Sequence, residues 1–381
     1  MKKVLFVATV YRFLAFEEND IKLLKNMGYE IHTATNMYED EWLRDDGKLD
    51  YLDLHKHQID FPRRPFSKQS FLSYKQVKDL LDAENFDLMH CHTPVAAAIA
   101  RAAARRSRKK GLKVIYTCHG FHFHKTSPKK YWMMFYPIEY LMAFYTDVII
   151  TINREDFHVA QKFHAADKRY IPGVGVDTSY ISDRKVDQNA LRAKFQIPQD
   201  AFLVLSIGEL SDRKNHEVII RAIASSNLDN VYYLICGAGE KLQELQNLCH
   251  KLDMAEKVIF TGYLTHEEII DLCHVCDIGA LPSKVEGLGL AGIETLAAGK
   301  PLVASNIHGI NDYVINDITG ISCAPDDVGS FSDAIKKLKN DSAYYQKCSA
   351  NAKKVAKRFD ISKSIGKMER IYRDLLTDIP G

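Results

Sequence analysis

Charge of one sign is scarce in this chain. The 51 lysines and arginines face 49 aspartates and glutamates, for a formal net charge of +2. That balance excludes the strong basic excess expected of a dedicated nucleic-acid binder. A membrane-spanning run is missing as well: the nearest, residues 131–152, is interrupted by Pro137, Glu139 and Asp147, and charge near a bilayer centre is costly. Behind Met1-Lys2-Lys3 the apolar run is too short for a signal peptide, so a cytoplasmic protein is expected. The eight cysteines make no zinc pattern. Cys273-His-Val-Cys276 is a lone C-x-x-C without a second pair at ligand spacing. All eight are expected to be buried free thiols of a reducing compartment, with Cys273 and Cys276 packing a helix end against the next strand. No G-x-G-x-x-G follows a leading strand, which disfavours a dinucleotide oxidoreductase. No D-x-D pair stands at a strand end.

What is present is alternation. The 381 residues, 46% apolar, are too many for one ordinary α/β domain and suit two of about 150–200 residues. Apolar runs at 3–10, 29–34, 86–91, 114–118 and 147–152 read as strands buried on both faces. Helical periodicity fills 17–27, 71–81, 96–109 and 131–144 between them. The pattern breaks at Ile171-Pro-Gly-Val-Gly-Val-Asp177, where a proline and two glycines suit a hinge, and then restarts. Strands are predicted at 202–208, 232–236, 258–261, 278–282 and 301–305, with helices at 215–224, 240–250, 266–273, 289–298 and 327–337. The fold class is therefore α/β, two Rossmann-like doubly wound domains. We place the first at 1–171, a hinge at 172–183 and the second at 184–360. A final amphipathic helix at 361–381 either covers the second domain or crosses back to the first.

The most informative stretch runs from Pro282 through Glu286-Gly-Leu-Gly-Leu-Ala-Gly-Ile-Glu294 to Pro301. A strand ends, a glycine-bearing turn follows, and a helix opens near Gly289. Free amides at a helix N-terminus beside the carboxyl end of a parallel strand suit a diphosphate. Glu286 in the loop and Glu294 one turn into the helix could accept hydrogen bonds from ribose and sugar hydroxyls. The plainer alternative is that glutamates near helix starts are dipole partners.

The two glutamates bracket seven residues, and this run resembles the E-x7-E motif of the family-four retaining glycosyltransferases of GT-B architecture, whose two domains face a central cleft. Ser206-Ile-Gly208-Glu-Leu-Ser-Asp-Arg213-Lys214-Asn-His resembles that family's first donor-domain strand and phosphate-binding loop. Leu234-Ile-Cys-Gly237-Ala-Gly239 and Val258-Ile-Phe-Thr-Gly262 follow in the family's order. Met89-His-Cys-His92-Thr-Pro and Tyr116-Thr-Cys-His119-Gly-Phe-His122 resemble its exopolysaccharide and capsule branch. The resemblance implies that Lys214 neutralises the donor diphosphate, Glu294 holds the ribose, and Glu286 meets the donor sugar. Gly208, Arg213 and the backbone of Gly287, Leu288, Gly289 and Leu290 would complete the donor site, and His119 would face the sugar across the cleft. His90, His92 and His122 are weaker candidates, since strand histidines are often satisfied core groups.

It further implies a nucleotide-sugar donor, a UDP-sugar above all, retention through front-face attack, and neither metal nor cofactor. The acceptor would be a glycan on a polyprenyl diphosphate. Two departures stand out: Glu209 replaces the usual arginine, with Arg213 the candidate substitute, and the loop at 8–16 holds no glycine. Tyr11 or Arg12 of that loop would then meet acceptor or sugar. Residues 101–150 carry ten basic against two acidic residues. Arg101, Arg105 and Arg108 share one predicted helix face, and Pro62-Arg-Arg-Pro65 and Lys129-Lys130 add to it. These are either a solvated surface or a peripheral contact with anionic lipid on the inner membrane face. A nucleotide-sugar epimerase of the same fold and a non-catalytic nucleotide-sugar binder remain alternatives.

Overall fold

A computed structural model describes residues 2–38, 47–64 and 66–377. The chain divides into two compact units, Met1–Val174 with Ser362–Gly381, and Gly175–Ile361.

The first unit holds a seven-stranded parallel sheet of β1 (Lys3–Val10), β2 (Glu30–Asn36), β3 (His55–Gln58), β4 (Leu88–Cys91), β5 (Lys113–Cys118), β6 (Val148–Thr151) and β7 (Asp167–Tyr170). Their order is β3-β2-β1-β4-β5-β6-β7. The register sets Val4 beside Ile31 on one side and Leu88 on the other. Strands β1, β4, β5 and β6 are almost wholly buried because helices cover both faces of a parallel sheet. The two edge strands, β3 and β7, were not among the expected ones. His-Lys-His-Gln and Asp-Lys-Arg-Tyr carry no apolar run, since an edge strand needs burial on less of its surface.

The second unit holds β8 (Phe202–Ile207), β9 (Val231–Cys236), β10 (Val258–Gly262), β11 (Ile278–Leu281), β12 (Leu302–Ser305) and β13 (Gly320–Cys323) in the order β10-β9-β8-β11-β12-β13. The expected strands recur within a residue or two, and β13 is new. Residues 178–183, placed in the hinge from sequence, form a helix of this unit capped by Asp177. The last helix, Ile361–Thr377, contributes all but its first residue to the first unit, where Tyr372 is fully buried. All eight cysteines are buried and unpaired; Cys276 Sγ reaches the Cys273 carbonyl at the turn into β11. No helix among the described residues is long and apolar enough to cross a membrane.

One expectation is overturned. Arg101, Arg105 and Arg108 do not share an exposed basic face. The helix stops at Ala103, a short turn of helix covers Arg105–Arg108, and Arg101 is fully buried. Its Nη2 lies 2.7 Å from Glu139 Oε2, its Nε donates to the Ala97 carbonyl, and its guanidinium sits 4.0 Å above the Tyr116 ring centroid. Tyr116 completes the cluster by donating to Glu139 Oε1. Glu139 comes from the helix Lys129–Ala143, so two apolar helices are joined through one desolvated ion pair. Arg108 is bound to Asp147. Pro65 of the other basic motif lies outside the described residues.

A buried pair is worth little against an apolar replacement, but removal of one partner strands a charge. Arg101→Gln should therefore destabilise the first unit by about 3–5 kcal/mol. Urea unfolding followed by tryptophan fluorescence measures this; a change below about 1 kcal/mol would show that the pair is solvated or dispensable.

Candidate functional site

In a doubly wound sheet the connections on either side of the order reversal leave in opposite directions, which opens a crevice at the carboxyl ends of the two strands there. In the second unit that point lies between β8 and β11. The loop after β8 carries Lys214 and the loop after β11 carries Glu286. They meet: Lys214 Nζ lies 2.6 Å from Glu286 Oε2, with both side chains largely buried. Arg213 adds a second positive charge 3.5 Å from the same oxygen and donates to the Val285 carbonyl. Glu209 is exposed and 4.0 Å from Arg213.

Several residues passed over in the sequence hold this geometry. Asn215, in the left-handed region at φ 55°, donates to the carbonyls of Pro282 and Pro325. It thereby pins the Lys214 loop to the Glu286 loop. The Lys284 amide donates to the Arg213 carbonyl. Below them, Tyr233 donates to Ser206, which donates to the Ala280 carbonyl across the reversal. His216 touches Tyr233 and the Glu209 carbonyl, and burial pushes its pKa down to about 4, so it is a neutral structural imidazole. A Cβ at Gly208 would stand 3.0 Å from the Lys214 stem, which would have to shift.

The helix Leu290–Ala297 starts from Gly289 at φ 82°, and no side chain caps it. The Gly292 amide donates to the Gly289 carbonyl, and the earlier amides of this turn lie at a helix start that suits an external acceptor. Gly287 and Gly289 are partly exposed, whereas the Leu288 side chain is buried, so only backbone from that residue can serve a ligand. Tyr313 donates to the Gly289 carbonyl at 2.9 Å from beneath. Glu294, one turn on, binds exposed His266, Nε2 to Oε1 2.7 Å. That hydrogen bond to Glu294 raises the His266 pKa despite partial burial.

The first unit has its own reversal, between β1 and β4. His92 follows β4, His119 follows β5, and Glu17 ends the short 3-10 helix Tyr11–Glu17 that follows β1. The three converge: His92 Nδ1 is 3.2 Å from His119 Nε2, and Glu17 Oε1 is 3.2 Å from His119 Nε2 and 3.5 Å from His92 Nδ1. Glu17 had been read only as a helix start. His92 is fully buried and held neutral by burial, while His119 keeps about a fifth of its side chain exposed. His90 is a core group between Tyr372 and Thr117, driven by burial down to about 3. His122 stacks on Phe135 at the surface. Tyr11 cannot serve an acceptor, because it is buried beneath Lys56; Arg12 is exposed.

Two parallel-sheet Rossmann-like domains in one chain match the architecture of the GT-B glycosyltransferases. A family model described as Glycosyl transferases group 1 matches residues 187–355, and one described as Glycosyl transferase 4-like matches residues 3–153. EpsD of Bacillus subtilis, named as a glycosyltransferase, is 34% identical over 377 residues, covering 97% of this chain and 96% of its own. An Escherichia coli UDP-Gal:alpha-D-GlcNAc-diphosphoundecaprenol alpha-1,3-galactosyltransferase is 26% identical over 309 residues, 78% of each chain. The crystal structure of Anabaena HepE in complex with UDP-glucose has the same fold, with TM-score 0.80 at 19% identity over 98% of this chain and 100% of that one. The chain belongs to the group 1 glycosyltransferases.

The Glu286 loop also depends on a backbone contact. Gly309 packs against the carbonyl of Gly287 so closely that a Cβ there would overlap backbone, which cannot swing aside. Gly309→Ala should lower the melting temperature, with roughly 1–3 kcal/mol of strain, and displace the loop. Calorimetry on wild type and variant checks this; an unchanged midpoint would mean that the loop yields freely.

Proposed function

We propose that this glycosyltransferase moves a hexose or N-acetylhexosamine from a nucleotide diphosphate sugar, a UDP-sugar, to a polyprenyl-diphosphate-linked glycan. It does so with retention of configuration and without a metal, in exopolysaccharide or capsule synthesis. The observation that carries this reading is the Lys214–Glu286 pair at the strand reversal, beside an uncapped helix start. In this structure the two charges satisfy each other. A donor diphosphate would take over Lys214 and the amides of Gly289 and Leu290, and a sugar hydroxyl would donate to Glu286. Negative charge builds on the leaving phosphate as the glycosidic bond breaks, so a fixed ammonium and helix dipole stabilise the transition state more than the ground state. Arg213 would supply a second cation, and Glu294 would accept from the ribose. His119 would serve the sugar.

The acceptor half of the reading draws on the Escherichia coli relative, whose name specifies a diphosphoundecaprenol-linked acceptor. The first unit also has an apolar pocket of about 450 Å³, lined among others by Phe66, Phe71, Tyr74, Ile99, Phe135 and Met142. Beside it, the helix Lys129–Ala143 begins with two exposed lysines and shows Met133 and Leu141 to solvent. Basic residues next to exposed apolar ones suit a peripheral contact with anionic lipid on the cytoplasmic face. This helix replaces the arginines as the support for that contact.

The deciding experiment incubates the protein with nucleotide sugars, with and without a polyprenyl-diphosphate glycan, and reads products by mass spectrometry and anomeric configuration by NMR. Transfer requiring acceptor, with retention and undiminished by chelator, is expected. Epimerised donor without acceptor, or activity lost to chelator and restored by manganese, would refute it. Lys214→Ala should cut turnover by about a hundredfold or more, with Lys214→Arg recovering part of the loss.

The His266–Glu294 contact gives a pH signature. Below its raised pKa, His266 is a cation that occupies Glu294; as pH climbs through that pKa, the proton leaves and the carboxylate is released to the ribose. Donor affinity should therefore rise with pH in wild type and be flatter, and higher at low pH, in His266→Ala. Glu294→Ala should weaken the donor by about 1.5–3 kcal/mol above the His266 pKa, and by less below it, where His266 already occupies the carboxylate. Calorimetric titration of all three proteins decides; parallel pH profiles for wild type and His266→Ala would remove Glu294 from the donor site.

A further inference from the structure

Glu17, His92 and His119 are more than neighbours, because their facing atoms form a nearly equilateral triangle with edges of 3.2, 3.2 and 3.5 Å. Tetrahedral zinc, with bonds of about 2.0–2.2 Å to imidazole nitrogen and carboxylate oxygen, separates its ligand atoms by about 3.3–3.6 Å. The triangle is thus already close to one face of a zinc tetrahedron.

As a hydrogen-bonded cluster the same atoms are poorly served. Glu17 Oε1 is buried and makes no properly aligned hydrogen bond despite two imidazole nitrogens within 3.5 Å. His92 Nε2 is likewise buried and unpartnered. Asp20, a turn further on, is buried and accepts from the Tyr372 hydroxyl at 3.0 Å. The Glu17 carboxylate thus has no such donor at Oε1, and an unsatisfied buried carboxylate is costly. The rings are also held in place: Phe6 stacks parallel on His92, and Phe13 sets its edge against His119. Partial exposure of His119 gives an ion a way in.

We propose that Glu17, His92 and His119 bind one first-row transition ion of the zinc class. Two imidazoles and one carboxylate favour zinc, cobalt or nickel over the oxygen-seeking magnesium and calcium. The site goes beyond the proposed reaction, which needs no metal. One consequence rests on that reading: if His119 serves the donor sugar, a bound ion ties up its Nε2 and inhibits transfer.

A second cluster, Glu30, His32 and His55, must be kept out of the measurement. It lies at the β2/β3 edge, and His55 is 59% exposed. The test therefore uses full-length protein carrying His55→Ala. Equilibrium dialysis against zinc, and the visible spectrum with cobalt, are compared for this protein and for versions that add His119→Ala or Glu17→Gln. Circular dichroism confirms folding, and partly exposed His119 keeps the test valid if Glu17→Gln fails to fold. One equivalent of zinc, an intense tetrahedral cobalt spectrum, no competition by magnesium, and loss of affinity by at least roughly tenfold in His119→Ala are expected. Zinc retention unchanged by His119→Ala, or no zinc retained at stoichiometric concentration, overturns the site. Binding is read without any glycosyl transfer, so its failure is separate from failure of the proposed reaction. Zinc bound at the triangle with transfer unaffected would overturn the inhibitory consequence.

Discussion

A parallel sheet whose strand order reverses cannot cover its own carboxyl edge at the reversal. The connections there depart to opposite faces, and backbone groups and loop side chains are left facing an open crevice. Both units are organised around this constraint. In the second, it brings together loops separated by more than seventy residues and closes them with Lys214 and Glu286. In the first, it gathers Glu17, His92 and His119 from the ends of three adjacent strands. The chemistry-bearing residues are therefore where the topology leaves groups without partners.

The two clusters resolve this in different ways. Lys214 and Glu286 neutralise one another, and the surrounding network of Asn215, Ser206, Tyr233 and His216 fixes the loops before any ligand arrives. The Glu17 cluster is less complete. Glu17 Oε1 and His92 Nε2 are buried there without an aligned hydrogen-bond partner.

Charge distribution shows how a one-dimensional pattern can mislead. Arginines at helical spacing look like an exposed stripe, yet Arg101 is drawn inward because Glu139, on another helix, needs a partner in the core. Glu139 had counted as an interruption in an apolar run. The same residue that rules out a membrane span thus also removes the basic face. What stays at the surface beside the apolar pocket is the lysine-led, methionine- and aromatic-rich helix at Lys129–Ala143.

The strands buried on both faces, the order of helices between them and the glycine-bearing turn before Leu290–Ala297 could be read from sequence, and Lys214, Glu286 and Glu294 were singled out there through the family resemblance. Burial on both faces imposes uninterrupted apolar runs, and helix starts impose local chemistry. Edge strands β3 and β7 were illegible because partial burial places little demand on composition. The pairing of Lys214 with Glu286, the clasp made by Asn215, the closeness of Gly309 to Gly287, the inward turn of Arg101 and the triangle at Glu17 were decided only by tertiary structure. Each joins residues whose local signals are complete without the other: a loop lysine, a loop glutamate, a helix-start acid, a strand-end histidine. Chain folding supplies their distance, and distance is what turns these side chains into sites.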